Sequence, residues 1–428
     1  MTTDVLQQKW KMILEHKDLA PIKDNHKKAV LAQILENEVR ALDEERSQGF
    51  ALNEAAPANS SGAFPSNPNL KGYDPVLISL VRRAMPNLVA FDVCGVQAMS
   101  APTGLIFALK SRYTSQGGTE ALFNEADTAF SGTGGPQTNP PMSPSNAHGT
   151  GMSTAAGEAL GDGVGPDFAQ MAFSIDKVTV TAKTRALQAQ YTMEIQQDLK
   201  AVHGLDAETE LANILATEIL AEINRETLRT IYNNAFPGAQ TLVTTPGIYD
   251  LDTDSNGRWL VEKFKGLMFQ IERDANGIAK STRRGKGNVL IVPSDVASAL
   301  TMAGLLDVAG GVANIKDNLN VDDTGNTFVG VLNGRMKVFI DPYQAQSATN
   351  YACVGYKGSS PYDAGIFYCP YVPLQMVRAI DPNSFQPRVG FKTRYGIVSN
   401  PFANSAADGS LAAQQNIYYR LFQIDNLQ

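Results

Sequence analysis

The stretch that most constrains the fold is residues 206–235, DAETELANILATEILAEINRETLRTIYNNA, which contains no Gly or Pro and is rich in good helix formers. At 1.5 Å per residue such a helix is roughly 45 Å long, the width of a small domain. Asp206 stands where a side chain caps the first turn, Glu208 and Glu210 suit the positive end of the helix dipole, and Arg225 and Arg229 lie toward the negative end. Leu211, Ile214 and Leu215 share a side with the later charged stripe Glu218, Glu222, Arg225, Glu226 and Arg229, whereas Leu220, Ile223, Leu228 and Ile231 point the other way. The apolar side changes along the rod, which predicts packing against different surfaces at its two ends. The bland alternative is a long core helix with one solvated charged edge.

A length of 428 residues accommodates two or three domains, and a hydrophobic content of 43% supplies their cores. The formal net charge of −7 argues against a surface built to grip nucleic-acid phosphates, although a container for DNA gains nothing by adhering to it. Cys94, Cys353 and Cys369 are widely spaced and form no CxxC pair, which favours buried reduced thiols over a zinc site. His16, His26, His148 and His203 add no HExxH or HxxxH pair. No apolar run approaches the length of a membrane span, and the first residues lack a signal-peptide pattern.

Residues 1–54 read as a charged helical segment, with Trp10, Ile13, Leu14, Val30, Leu31, Ile34, Leu35, Val39 and Leu42 at helical spacing and an interruption near Pro21. So sparse a stripe suits a coiled coil, or docking on partners, better than a core of its own. At residues 55–75 the composition turns to Ala, Pro, Asn, Ser and Gly, the makeup of an exposed arm, and the junction invites proteolysis. Residues 76–85 predict a short helix stopped by Pro86, and 87–113 predict short strands about a turn containing Pro102 and Gly104.

Residues 120–167 lose periodicity, forming a loop longer than compact domains keep without a purpose. Residues 173–182 alternate as a strand, with Ile175, Val178 and Val180 breaking the period once and Lys177, Thr179 and Thr181 outward. Another strand and a short helix precede the rod. Beyond it, Trp259 to Ile278 predicts an amphipathic helix through Trp259, Leu260, Phe264, Leu267, Met268 and Ile271. The basic turn holding Lys280, Arg283, Arg284 and Lys286 lacks Walker-loop spacing and reads as a solvated turn or a subunit salt bridge. A buried strand follows, then Pro293 and a helix capped by Ser294 or Asp295. Asn333-Gly334 between two apolar runs is the dipeptide of a type I′ hairpin. Further strands, YACVGYKG, GIFYCPYVPL, FKTRYGIV and NIYYRLFQI, complete a mixed pattern without regular β-α-β repetition, which makes the fold α+β.

No nucleophile-base-acid set, catalytic carboxylate pair or metal cluster assembles from local spacing: GxSxG, HExxH and DxDxDG are all absent. The chain reads as a non-enzyme with no cofactor. A cytosolic α+β enzyme with a helical regulatory tail is the rival, supported only by the mixed fold and the basic Gly-rich turn.

VRRAMPNLVAFDVCGVQAMSAPTGLIFALKSRY, residues 81–113, closely resembles the major capsid protein of T-even-type (myovirus) tailed bacteriophages. The resemblance resumes in the same order at ALFNEADTAFSG, at LQAQYTMEIQQDLKAVHGLDAETELANILATEILAEINRE, at VGYKG with DAGIFYCPYVPL, and at DPNSFQPRVGFKTRYGIVSNPF. It implies the Hong Kong 97-like capsid fold. Its parts here are a helical prosegment (1–54), an N-terminal arm (55–104), an extended loop (105–182), a peripheral domain carrying the spine helix (183–287), an axial domain (288–375) and a C-terminal return to the peripheral domain (376–428). The family's large insertion falls within the extended loop, and here only the Gly- and Pro-rich residues 120–167 remain.

The resemblance also implies removal of the prosegment by a prohead protease that cuts after a hydrophobic-x-Glu pattern. Leu52-Asn53-Glu54 before Ala55 matches the mature junction. Ile13-Leu14-Glu15, Ile34-Leu35-Glu36 and Leu42-Asp43-Glu44 fit as secondary cuts, and Leu220-Ala221-Glu222 matches inside the rod. The implied partners are copies of the chain itself in hexameric capsomers and their neighbours, the vertex protein, scaffold, portal and prohead protease, and a host chaperonin. The shell would assemble in the bacterial cytoplasm and enclose double-stranded DNA without reading its sequence. The rival within this class is the pentameric vertex paralogue of the same phages.

Overall fold

The computed structural model describes residues 3–15, 22, 24–47, 88–122, 125–134, 148–161, 167–255, 257, 259–304, 306–308, 327–343, 349–380, 386–403 and 411–427. The helix expected at 76–85, the arm at 55–75 and the junction Leu52, Asn53, Glu54 and Ala55 lie outside these residues. The chain divides into two compact units, Met1–Leu105 with Thr179–Gln428, and Ile106–Val178.

In order, the strands are β1 (Gly95–Val96), β2 (Thr103–Tyr113), β3 (Met171–Thr181), β4 (Lys183–Gln190), β5 (Ala235–Pro237), β6 (Ile248–Asp250) and β7 (Val289–Val292). They continue as β8 (Leu306–Val308), β9 (Thr327–Leu332), β10 (Met336–Ile340), β11 (Asn350–Gly355), β12 (Ile366–Ile380), β13 (Pro387–Ser399) and β14 (Asn416–Asp425). The larger unit holds a four-stranded sheet, β1-β12-β13-β4, and an eight-stranded sheet in the order β5-β14-β11-β7-β10-β9-β8 with β6 also on β14. Strands mix with helices without regular crossovers, so the fold is α+β, as the sequence indicated. β7 is buried at every position between parallel β10 and antiparallel β11, which explains its unbroken VLIV. β9 and β10 turn at Asn333 (φ 52°) and Gly334 (φ 66°), the paired left-handed residues of a type I′ turn.

The rod is one helix, Ala207–Asn234, whose two halves belong to different cores. Leu215, Ala216, Ile219, Leu220 and Ile223 pack with Tyr368, Leu374, Val389, Phe391 and Tyr395 of the four-stranded sheet. Leu228 and Ile231 join the core of the eight-stranded sheet with Leu290, Val338, Tyr418 and Phe422. The two ends thus pack on different surfaces, as the sequence indicated, but Leu220 and Ile223 share the core of Leu215 and not that of Leu228 and Ile231. Ile214 alone of its early apolar group stays outside, 61% exposed. Asp206 occupies the N-cap position, but its carboxylate accepts from the Thr209 hydroxyl at 3.1 Å.

Helix Leu260–Thr282 buries Phe264, Leu267 and Ile271 as expected and Ala275 and Ile278 beyond them, but Trp259 and Leu260, expected on the same stripe, are exposed. Residues 87–113 differ from the all-strand expectation. Ala90–Val93 is one helical turn before β1: Leu88 and Phe91, three apart, pack in the core of the four-stranded sheet, while Val89 and Val93, four apart, pack in that of the eight-stranded sheet. All three cysteines are buried free thiols. Among the described residues no helix is long and apolar enough to cross a membrane.

Candidate assembly surfaces

The smaller unit is built on the two-stranded ribbon of β2 and β3. One face carries Phe107 and Leu109 of β2 and Met171, Phe173 and Ile175 of β3, each between 54% and 66% exposed. On the other face Ala108 and Val178 are buried, Lys110 pairs with Asp176 at 2.8 Å, and Arg112 Nε donates to Ser174 Oγ at 3.1 Å. At the tip the Tyr113 and Phe130 rings lie 4.5 Å apart. A lone two-stranded ribbon is marginal in water, and a row of exposed large apolar side chains on one is the mark of a surface that another chain covers. The single break in the period of β3 marks this face. Ile175 has the parity of Lys177 and Thr179 and points outward with them.

The N-terminal helices, expected to seek partners, dock within the larger unit. Leu6, Trp10 and Leu14 and, from helix Asn25–Ser47, Val30, Leu31, Ile34 and Leu35 are buried in the same core as Leu88, Phe91, Val96, Ile219 and Leu374. Asn37 Nδ2 donates to the carbonyls of Met99 (2.6 Å) and Tyr371 (2.9 Å), and His26 Nε2 lies 2.8 Å from the Val96 carbonyl. Lys27 reaches Asp92 at 3.8 Å and sits over the Phe91 ring. Between the docked helices Glu36 accepts from Lys9 Nζ at 2.7 Å and from Trp10 Nε1 at 3.3 Å. Burial pushes the Glu36 carboxyl up, but the Lys9 hydrogen bond and charge, helped by Trp10, outweigh it and hold the group below its ordinary value.

Two polar clusters brace the rod. Arg225 Nη1 donates to both oxygens of Asp341, at 2.8 and 2.7 Å, and Tyr232 adds its hydroxyl at 3.0 Å. Arg185 of β4 spans Glu222 (2.6 Å) and Glu226 (2.5 Å) and donates to the Tyr395 hydroxyl at 2.8 Å, while Tyr395 donates to Glu226. Burial, then the bond to Glu226, pushes the Tyr395 phenol far up, so it stays a donor. Two residues of the basic turn are held within the chain, while Lys280 and Arg283 are exposed. Lys286 pairs with Glu272, which also takes Arg335 at 2.6 Å, and Arg284 lies 3.6 Å from Asp363 and over the Phe402 ring. Among the described residues no group of His, Cys, Asp and Glu is placed to hold a metal. A cleft of about 90 Å³ lined by His26, Lys27, Phe91 and Lys357 is too small for an organic substrate.

A family model for the major capsid protein Gp23 matches residues 70–424. The chain belongs to the Gp23 major capsid protein family. It is a structural protein of the virion head, and the enzyme reading falls. The major capsid protein of Salmonella phage ViI is 41% identical over 389 residues, covering 84% of this chain and 87% of that one. That of Enterobacteria phage T6 is 36% identical over 497 aligned positions, 96% of this chain and 98% of the relative. The capsid vertex protein of Enterobacteria phage T4 is 28% identical over 267 residues, 59% of this chain and 58% of its own. Among solved structures, the capsid of Myoviridae phage XM1 matches over 78% of this chain and 91% of that one, with 10% identity and a TM-score of 0.39.

Sequence reasoning found the rod and the ribbon of this Gp23-family chain but missed two things. The docking of residues 3–47 on their own body gave no signal beyond the apolar stripe itself, which marks a buried face without saying what buries it. Asp341 was missed because its partner Arg225 lies 116 residues away in sequence.

Proposed function

We propose that the chain is the precursor of the main shell subunit of a tailed-phage head, assembling into hexameric capsomers that enclose double-stranded DNA. The observation that carries this is the exposed apolar face of the β2–β3 ribbon, which leaves Phe107, Leu109, Phe173 and Ile175 for a neighbouring copy to cover. The hexameric subunit is favoured over the pentameric vertex paralogue by the far longer match to the major capsid relatives. The proposed parts are the prosegment (1–54), arm (55–104), extended loop (105–182), peripheral domain (183–287), axial domain (288–375) and return (376–428). The eight-stranded sheet draws strands from the last three. The T6 alignment is longer than the 428 residues here, which supports a reduced insertion in this chain.

The proposed processing step is cleavage between Glu54 and Ala55 by a prohead protease, with Leu52 as the hydrophobic residue of the pattern. Scaffold, portal, vertex protein and a host chaperonin are the proposed further partners. Electron microscopy of the expressed chain tests the assembly: sheets, tubes or shells with hexagonal lattice are expected, and a discrete small oligomer at high concentration would refute it. A Glu54→Ala chain is expected to keep its N-terminal segment in the particle. Normal loss of that segment would refute the assignment of the junction.

A further inference from the structure

One of the hydrophobic-x-Glu sequences in the N-terminal segment, Ile34-Leu35-Glu36, sits inside a docked helix, and its three residues are 0%, 3% and 7% exposed. At Ile13-Leu14-Glu15 Leu14 is buried, but Glu15 caps the end of its helix and is exposed. The stretch from Val30 to Glu38 is covered from two sides, by the first helix with Leu6 and Trp10 and by the body with Leu88, Phe91, Val96 and Leu374. A protease needs several residues of extended chain in its cleft, so a helical, buried bond is cut only from an opened state. The spine helix shows the same protection at Leu220-Ala221-Glu222, where Leu220 is buried and Glu222 is held by Arg185 at 2.6 Å. The sequence pattern alone cannot tell a bond in extended chain from these buried helical ones.

We infer that the docking of residues 24–47 on the body orders the processing: the bond after Glu36 is masked until the segment leaves its groove. After a cut beyond residue 47 the severed segment keeps its apolar anchors and the Asn37, His26 and Lys27 contacts to Met99, Tyr371, Val96 and Asp92, and so remains seated. A later cut after Glu36 divides Ile34 and Leu35 from Asn37 and destroys the docking helix. Release then becomes irreversible. The inference rests on the processing reading for its occasion, but not on the position of the first cut.

The test uses the full chain and a glutamate-specific endopeptidase, so it is independent of the phage enzyme. Cleavage after Glu36 is followed by mass spectrometry in three substrates: the wild-type chain, a Leu31→Asp chain, and a free peptide of residues 24–47. The expected result is that the wild-type bond is cut about 100-fold more slowly than the peptide or slower still. In Leu31→Asp the rate should approach that of the peptide, while the spine helix keeps its hydrogen-exchange protection. Should Leu31→Asp fail to fold, Asn37→Ala, which removes two hydrogen bonds and no apolar anchor, is expected to raise the rate several-fold. Equal rates in the wild-type chain and the peptide, or a Glu36 rate unmoved by either variant, would overturn the inference. Loss of the Glu54 assignment alone would leave it standing.

Discussion

Replacing Arg225 with Met tests how the spine helix is tied to the eight-stranded sheet. Asp341 is 0% exposed, and its carboxylate takes Arg225 at 2.7 and 2.8 Å, the Tyr232 hydroxyl at 3.0 Å and the Tyr343 N–H at 3.1 Å. Methionine preserves the aliphatic stem but leaves a buried carboxylate with two neutral donors. Breaking one side of a buried ion pair costs about 3–5 kcal/mol. The two surviving hydrogen bonds, and the 24% exposure of the Arg225 side chain, place this loss near the lower bound, about 3 kcal/mol. Asp341→Asn alone is expected to cost about 1–2 kcal/mol.

The double variant R225M/D341N no longer buries a charge, so its loss should fall to about 1–2 kcal/mol, well under the sum of the singles. Urea denaturation of the unassembled chain, followed by far-UV circular dichroism, gives each value. A loss below about 0.5 kcal/mol in Arg225→Met, or a double variant equal to the sum of the singles, would refute the view that Arg225 neutralises a buried charge.

Glu36 has a depressed folded pKa, so its contribution to docking is complete above the ordinary carboxylate value and is lost as pH falls through the depressed one. In a Trp259→Phe background, Trp10 emission should shift to the red over that acid range, and a Glu36→Gln chain should lack this transition. Gly334→Ala should cost about 1–2 kcal/mol in the same urea assay, because the added Cβ meets nothing within 4 Å and only the φ of +66° is penalised. Phe107→Ser should leave the stability of the unassembled chain nearly unchanged, since the ring is already 66% exposed. It should weaken assembly by a large part of the about 1.5–3 kcal/mol that burying a Phe contributes per contact, read as a raised critical concentration in light scattering.

What the sequence made legible was whatever depends on local period and local chemistry. The Asn333-Gly334 turn is dictated by two residues that tolerate positive φ, and helix Leu260–Thr282 by a stripe that never changes side. That the rod packs on two surfaces was visible in its shifting apolar side, but the place where one core gives way to the other was not: Leu220 and Ile223 stay with Leu215, and only Leu228 and Ile231 change cores. Illegible features were those set by what lies opposite. The alternation in β3 says that its two faces differ, but not that Ile175 and Phe173 share the outward one. The stripe of Val30, Leu31, Ile34 and Leu35 demands a cover and is indifferent to whether that cover is another molecule or the chain's own Phe91 and Leu374. Asn37 looks like a solvated helix residue until the carbonyls of Met99 and Tyr371 are placed beside it.

β14 has a consequence for biosynthesis. It follows every other strand in the sequence yet lies inside the eight-stranded sheet, hydrogen-bonded to β11 on one side and to β5 and β6 on the other, with Tyr418, Tyr419, Phe422 and Ile424 buried. A ribosome adding about 5–20 residues per second finishes β5 roughly ten seconds or more before it reaches Asn416. Throughout that interval β5 and β6, and β11 once it is made, have no common neighbour, and their apolar faces stand open in a crowded cytoplasm. The strand that joins them is made after them all, so a nascent chain interrupted before residue 416 is an aggregation hazard.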